Sequence, residues 1–289
     1  MFDTIKWLHA ESSTRCNAWC SSCARNNSGF GLTDFVIEDL KTERLREVIE
    51  MLPNLHTVQF CGNLGDPCAS KIINDQLAII KDKDLNLQLH TNGSLRTAQW
   101  WAELAKRFGD KIEVWFAIDG LEDTHAIYRQ ATNWKKIIDN ATAFIQAGGR
   151  AIWQFIPFAH NQHQIKDCMK MSTRLGFHRF EFVKNARYKE QHFHYQTGKS
   201  LDIKPWGQHE SQWQRRGRIL DKVQKKIKKK TVLEKDCMHL AMPSIFLNAS
   251  GVISPCCYFG QKTLSQNNIK EQIQQKRYQK ICLYSCGSI

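Results

Sequence analysis

Over its first 184 residues this chain changes hydrophobic period again and again. Short runs rich in β-branched and aromatic residues recur: Ile5–Ala10, His56–Cys61, Asn86–His90, Ile112–Ile118, Ala151–Phe158 and Arg179–Val183. Longer stretches between them carry apolar residues at i, i+3 and i+4. Asp34–Leu52 reads as such a helix, with Thr33 or Asp34 placed to cap it. Thr97–Phe108, Asn133–Gly148 and Gln162–Gly176 read the same way, and the last two end in glycine, as helices often do. A strand–helix unit repeated about six times implies parallel strands with helices packed outside them. Two α/β architectures answer to that pattern, a doubly wound open sheet and a partial barrel.

Polar and glycine-rich residues gather where the strands end. The first strand runs into a loop with three cysteines, the second into CGNLGDP (Cys61–Pro67), the third into TNGS (Thr91–Ser94), and the fourth into Asp119–Gly120. The C-terminal ends of parallel strands are where barrel and open-sheet enzymes place their active sites.

The rhythm stops after Val183. Residues 1–184 are therefore one domain, 185–235 a basic linker or insert, and 236–289 a small cysteine-rich unit. Of the net charge of +13, the segment Asn185–Lys235 supplies +9, from 14 Lys or Arg against 5 Asp or Glu. Such an excess suits an anionic partner, and a solvated basic helix over Ile219–Lys230 would explain it equally. No run approaches 18 apolar residues, so no membrane partner is expected. The opening run MFDTIKWLHAESS lacks the features of a secretory signal, so the expected location is cytoplasmic. Eleven cysteines in a reducing compartment point to metal ligands or buried thiols rather than disulfides.

The loop RCNAWCSSCAR (Arg15–Arg25) spaces Cys16, Cys20 and Cys23 as C-x3-C-x2-C. A closed zinc site takes four protein ligands. A cubane of four irons held by three thiolates keeps one iron open. A zinc site completed by a distant ligand is the other reading of these thiols.

This loop, directly after the first strand of a βα protein, resembles the signature of radical S-adenosylmethionine (SAM) enzymes. The resemblance implies a partial (β/α)6 TIM-type barrel, a SAM-binding 4Fe–4S cluster, and SAM chelated at the open iron. It implies reductive cleavage to a 5′-deoxyadenosyl radical that takes hydrogen from a substrate, with an external donor such as flavodoxin or ferredoxin. Gly65, Asp66 and Pro67 match the family's Gly-Gly-Glu-Pro segment, which meets the methionine ammonium, with Asp in place of Glu. Asn92 matches a polar position near the cofactor at the third strand end. FAIDGLEDTHAIYR (Phe116–Arg129) resembles a segment of the peptide- and protein-modifying branch. There Arg129 falls on the residue that holds the methionine carboxylate, and Asp119 lies nearer the ribose or acts as a turn acid. Ala117 departs from the family serine and Ser22 from its aromatic, which Trp19 or Phe30 could replace. His125 and Tyr128 read as packing residues.

The tail holds Cys237, Cys256, Cys257, Cys282 and Cys286. Gly251-x4-Cys256 resembles the hairpin of the auxiliary-cluster tails called SPASM and, when shortened, twitch. Five cysteines suit twitch better. Cys237, Cys256, Cys282 and Cys286 are the ligand set this implies for a second, auxiliary 4Fe–4S cluster. A structural four-cysteine zinc site and unpaired core thiols are the alternatives. Cys61, Cys68 and Cys168 read as core residues. The resemblance implies a peptide or protein side chain as substrate, or a small carbohydrate- or nucleotide-type molecule. Nucleic acid is compatible with the charge but not favoured. A non-catalytic, nucleic-acid-binding zinc protein would leave the strand-end motifs without a role.

Overall fold

A computed structural model describes residues 2–21, 23, 25, 36–183, 192–204 and 244–254. Six strands lie side by side in chain order, each parallel to the next: β1 (Trp7–Ala10), β2 (Thr57–Phe60), β3 (Asn86–Thr91), β4 (Ile112–Ala117), β5 (Arg150–Phe155) and β6 (Arg179–Phe182). Helices fill the connections: α1 (Thr42–Glu50), α2 (Ile73–Asp82), α3 (Ala98–Phe108), α4 (Glu122–Tyr128) with α5 (Trp134–Gln146), and α6 (Ile165–Leu175).

Strand order decides between the two architectures. A doubly wound sheet reverses its order at a switch point and carries helices on both faces. Here β1 to β6 never reverse. Right-handed crossovers in one direction place every helix on one face, and the sheet curls around the other as a partial barrel. Alternate strand residues obey this. Leu8, Val58, Leu87, Leu89, Val114, Phe116, Ala151 and Trp153 join the helices in one buried core. In α3, Trp101, Leu104, Ala105 and Phe108 face that core, and Thr97 caps the helix by accepting from the Trp100 N–H at 3.2 Å. Gly148 and Gly176 take φ of 92° and 84° just past α5 and α6, where a side chain would be strained.

The helix expected over Asp34–Leu52 is shorter than its periodicity suggests. It begins only at Thr42; Thr33 and Asp34 lie outside the described residues. The residues before it pair with the cysteine loop instead. Thr14 N–H donates to Glu38 O at 3.0 Å, Leu40 N–H donates to Ser12 O at 2.9 Å, and Ser13 bridges Asp39. These long-range bonds outweigh one more turn of helix.

Two further hairpins are described. β7 (His192–Phe193) pairs with β8 (Ser200–Leu201). β9 (Ser244–Leu247) lies parallel to β1, and β10 (Ile253–Ser254) returns antiparallel to β9. The Gly251 hairpin thus extends the barrel sheet at the free edge of β1. Among the described residues the sheet is open, with β10 and β6 at its edges. Among the described residues no helix is long and apolar enough to cross a membrane.

Candidate active site at the open end of the barrel

The loop after β1 carries Cys16, Cys20 and Cys23, none of them in a disulfide among the described residues. Cys20 is buried, and Ala18, Tyr128, Ile156, Phe158 and Ile203 pack around it. Burial pushes the Cys16 thiol well above its usual range, and Asp66, Cys20 and Cys23 push it the same way. The three thiols therefore share one electrostatic neighbourhood with the end of β2. Ala18 N–H approaches Cys16 Sγ at 3.4 Å.

The loop after β2 is stitched to the cysteine loop. Asp66 N–H donates to Arg15 O at 2.7 Å. A Cβ on Gly65 would lie 1.9 Å from Ser13 O, so only glycine permits this approach. Arg25 donates to the carbonyls of Thr14 and Leu64 and ties the two loops from the other side. Beneath them Glu11 is buried, and its carboxylate accepts from Leu64 N–H at 2.7 Å; burial raises its pKa.

Asp66 is buried and surrounded by donors. Its Oδ1 accepts from Cys68 N–H and the Thr91 hydroxyl, both at 2.9 Å. Its Oδ2 accepts from the Asn92 backbone and side-chain N–H groups, both at 2.7 Å. Burial pushes its pKa up while these donors pull it down. Asn92 also donates to Asn17 Oδ1 at 2.9 Å, and Asn17 donates to Ser94 Oγ at 2.8 Å. The loops after β1, β2 and β3 thereby form one network next to Cys16.

Arg129 closes the site from the end of α4. Its Nε donates to Asp119 Oδ2 at 2.6 Å, and Ile156 N–H donates to Asp119 Oδ1 at 2.6 Å. Both partners are buried. Burial pushes the guanidinium down, while Asp119 first and Cys20 next hold it up and charged. Its two Nη groups have no partner among the described residues.

Below this rim the concave face of the sheet is polar and aromatic. His9, Gln59, His90, Trp115, Gln154 and Phe246 occupy the positions that alternate with the core residues. Packed barrels fill that space with branched aliphatic side chains. Here Gln59 Nε2 meets His90 Nε2 at 3.0 Å, and His90 stacks on Trp115 with centroids 4.9 Å apart.

No protein-family model matches the chain. The "Tungsten-containing aldehyde ferredoxin oxidoreductase cofactor-modifying protein" of Pyrococcus furiosus is 29% identical over 119 residues, which are 40% of this chain and 32% of that relative. The match thus spans about a third of the relative's length. SuiB of Streptococcus suis, solved bound to S-adenosylmethionine, superposes with a TM-score of 0.61 at 13% identity, over 91% of this chain and 63% of SuiB. The anSMEcpe structure with bound AdoMet superposes with a TM-score of 0.55 at 14% identity, over 87% of this chain and 74% of that one. The fold is that of the radical SAM enzymes.

The residues suit the groups that this fold implies. A multi-iron cluster takes soft thiolates, and three cysteines outside any described disulfide stand on one loop. Thiols that serve separate irons need not converge on one point. Among the described residues no three His, Cys, Asp or Glu side chains converge as single-ion ligands do. The Arg129 Nη groups, without a partner among the described residues, are donors of the kind that grip a carboxylate.

The structure brings Cys16, Cys20, Cys23, Gly65, Asp66, Asn92, Asp119 and Arg129 to one end of the barrel, at the loops after β1 to β4 and the end of α4. Three of them have their side-chain polar atoms engaged within the protein. The Asp66 oxygens hold the turns after β2 and β3, those of Asp119 hold Arg129 and Ile156, and the Asn92 amide is held by Asp66, Asn17 and Ser94. His125 and Tyr128 are packing residues. His125 Nδ1 accepts from Asp119 N–H at 3.0 Å, and Tyr128 packs on Phe158 at 4.7 Å. Trp19 is half exposed and stacks on Tyr195. Cys68 and Cys168 are buried free thiols, and Cys61 is half-buried. Ser22, Phe30, the basic run over 219–230, and Cys237, Cys256, Cys257, Cys282 and Cys286 lie outside the described residues.

Thr91, Asn17 and Ser94 were not singled out from the sequence, and neither was the concave face. A signal for that face exists. Gln88 and His90 in β3, Glu113 and Trp115 in β4 and Gln154 in β5 put polar or ring nitrogen atoms at alternate positions among mostly apolar residues.

Proposed function

We propose that this chain is a radical SAM enzyme that takes hydrogen from a substrate held against the concave face of its sheet. One observation carries the reading: three cysteines on the loop after β1 share a site with buried Arg129, whose Nη groups have no partner among the described residues. Cys16, Cys20 and Cys23 hold the cluster, and Arg129 grips the SAM carboxylate. When bound, cluster and SAM supply one-electron reductive cleavage of a C–S bond and the hydrogen abstraction that follows. The protein's own part is positional. Asp119 aims the guanidinium, Asp66 holds the loops after β2 and β3 in register with the cluster loop, and Gly65 lets them touch. With Asp66 saturated by protein donors, backbone carbonyls of the same loop are left to meet the ammonium.

The substrate we favour is a peptide or protein side chain. SuiB has been solved bound to the precursor peptide SuiA, and anSMEcpe with the Cp18Cys peptide. A small molecule is the second reading, because the P. furiosus relative is described as cofactor-modifying. Cys237, Cys256, Cys282 and Cys286 complete the proposal as ligands of an auxiliary cluster, and a flavodoxin or ferredoxin supplies the electron. The test is anaerobic reconstitution with iron and sulfide, followed by reduction with dithionite in the presence of SAM. Formation of 5′-deoxyadenosine supports the reading. A protein that binds iron yet never yields it is not such an enzyme.

A further inference from the structure

The concave face holds a hydrogen-bond relay whose direction follows from chemistry. Trp7 Nε1 lies 3.3 Å from Gln59 Oε1. An indole nitrogen only donates, so the carbonyl end of Gln59 faces Trp7. The amide nitrogen of Gln59 therefore faces His90 Nε2, at 3.0 Å. An amide NH2 also only donates, so His90 Nε2 is the acceptor. A neutral imidazole carries one proton, which places it on His90 Nδ1.

The ring is held in plane as well. It stacks on Trp115 with an interplanar angle of 17°, and Trp115 is fixed in turn by Nε1–H donation to Glu113 Oε1 at 2.8 Å. Burial, with His9 close by, lowers the His90 pKa to about 3, so the ring is neutral at physiological pH. The charges at the base of the barrel are matched: Arg179 bridges Glu113 and Glu181, each at 3.2 Å. What remains is an uncharged donor of fixed direction beside a flat aromatic wall.

We propose that His90 is a specificity-determining residue whose Nδ1–H donates to an uncharged oxygen of the substrate, a carbonyl or a hydroxyl, lying along Trp115. This rests on the reading that the substrate occupies the concave face. The Arg179 guanidinium lies over Trp115 at 5.7 Å from the ring centroid but is paired with Glu113 and Glu181, so a neutral oxygen suits this donor better than a carboxylate or phosphate. Trp7 and Gln59 act through His90 and are positioning residues.

The test uses the holoenzyme with cluster and SAM, labelled with 15N-histidine. Long-range 1H–15N correlation at neutral pH reads which nitrogen of His90 is protonated, with His90→Phe identifying the signal. We expect Nδ1–H. A proton on Nε2 overturns the proposal. N-methylacetamide, glycerol and acetate are then titrated in turn. A saturable shift of the His90 signal with the amide or with glycerol supports the proposal and tells carbonyl from hydroxyl. A shift with acetate alone, or with none of the three, overturns it. Gln59→Glu puts an acceptor against Nε2, draws the proton there, and should weaken the response to the neutral probe about fivefold, as loss of one hydrogen bond does. Neither the tautomer nor the probe response depends on radical chemistry. A protein inert toward SAM that still showed Nδ1–H and a neutral-probe response would remove the reaction and leave this inference standing.

Discussion

Asp119 Oδ2 lies 2.6 Å from Arg129 Nε, and both side chains are buried. A buried pair of this kind is weak evidence for stability, but breaking it is costly because one charge is left alone. Arg129→Ala should therefore do two things. It should cost about 3–5 kcal/mol of stability in urea unfolding. It should also weaken SAM binding about tenfold or more, since a charge-assisted bond contributes roughly 1.5–3 kcal/mol. Arg129→Met combined with Asp119→Asn removes both charges. That variant should regain most of the stability and none of the affinity. If calorimetry finds SAM affinity restored with stability, Arg129 is a structural residue only.

Gly65 stands where the loops after β1 and β2 touch. Gly65→Ala drives a Cβ against Ser13 O, a backbone atom that cannot rotate away. The cysteine loop should shift, and iron per chain after reconstitution should fall. Unchanged iron content and an unchanged absorption spectrum would show that the contact does not position the thiols.

Acid stability should report on His125. Burial first, and the nearby Arg129 charge next, lower its pKa to about 3, while its Nδ1 accepts from Asp119 N–H at 3.0 Å and its Nε2 meets the Thr132 hydroxyl at 3.1 Å. In the unfolded chain it titrates near the usual 6.5. As pH falls from about 6.5 toward about 3, the unfolded state takes up a proton that the folded state refuses. This one group then removes about 1.4 kcal/mol of stability per pH unit. His125→Asn keeps an acceptor near Nδ1 and does not titrate. Urea unfolding at several pH values should show a slope reduced by about one proton. An identical slope in both proteins would place His125 outside the linkage.

Cysteine variants test whether the chain holds two clusters. Replacing Cys16, Cys20 and Cys23 together by Ala should abolish 5′-deoxyadenosine formation and remove roughly four irons, one cubane. About four irons should remain, bound by Cys237, Cys256, Cys282 and Cys286, with no spectral response to SAM. A triple variant free of iron and holding stoichiometric zinc would make the tail a structural zinc module.

Much of this was readable one neighbour at a time. The βα rhythm, the glycines that end α5 and α6, and the spacing of Cys16, Cys20 and Cys23 are properties of adjacent residues. Period, turn chemistry and ligand spacing act over a few positions, so the sequence by itself determined them. It also determined that chemistry sits at the strand ends, because each loop follows its own strand.

Partner choice was not local, and only the tertiary structure decided it. Strand order made the sheet a partial barrel, and β9 chose the edge of β1 although some 240 residues separate their starts. Residues 36–41 read as helix but pair with the cysteine loop, because unpaired backbone groups there cost more than a lost helical turn returns. Asp66 reads as an acid free to meet a ligand, yet Thr91 and Asn92 fold back to occupy both its oxygens. His90 reads as one more residue of a strand. Its proton is placed by Trp7 and Gln59, on two other strands, since a buried donor must face an acceptor and the fold selects which one.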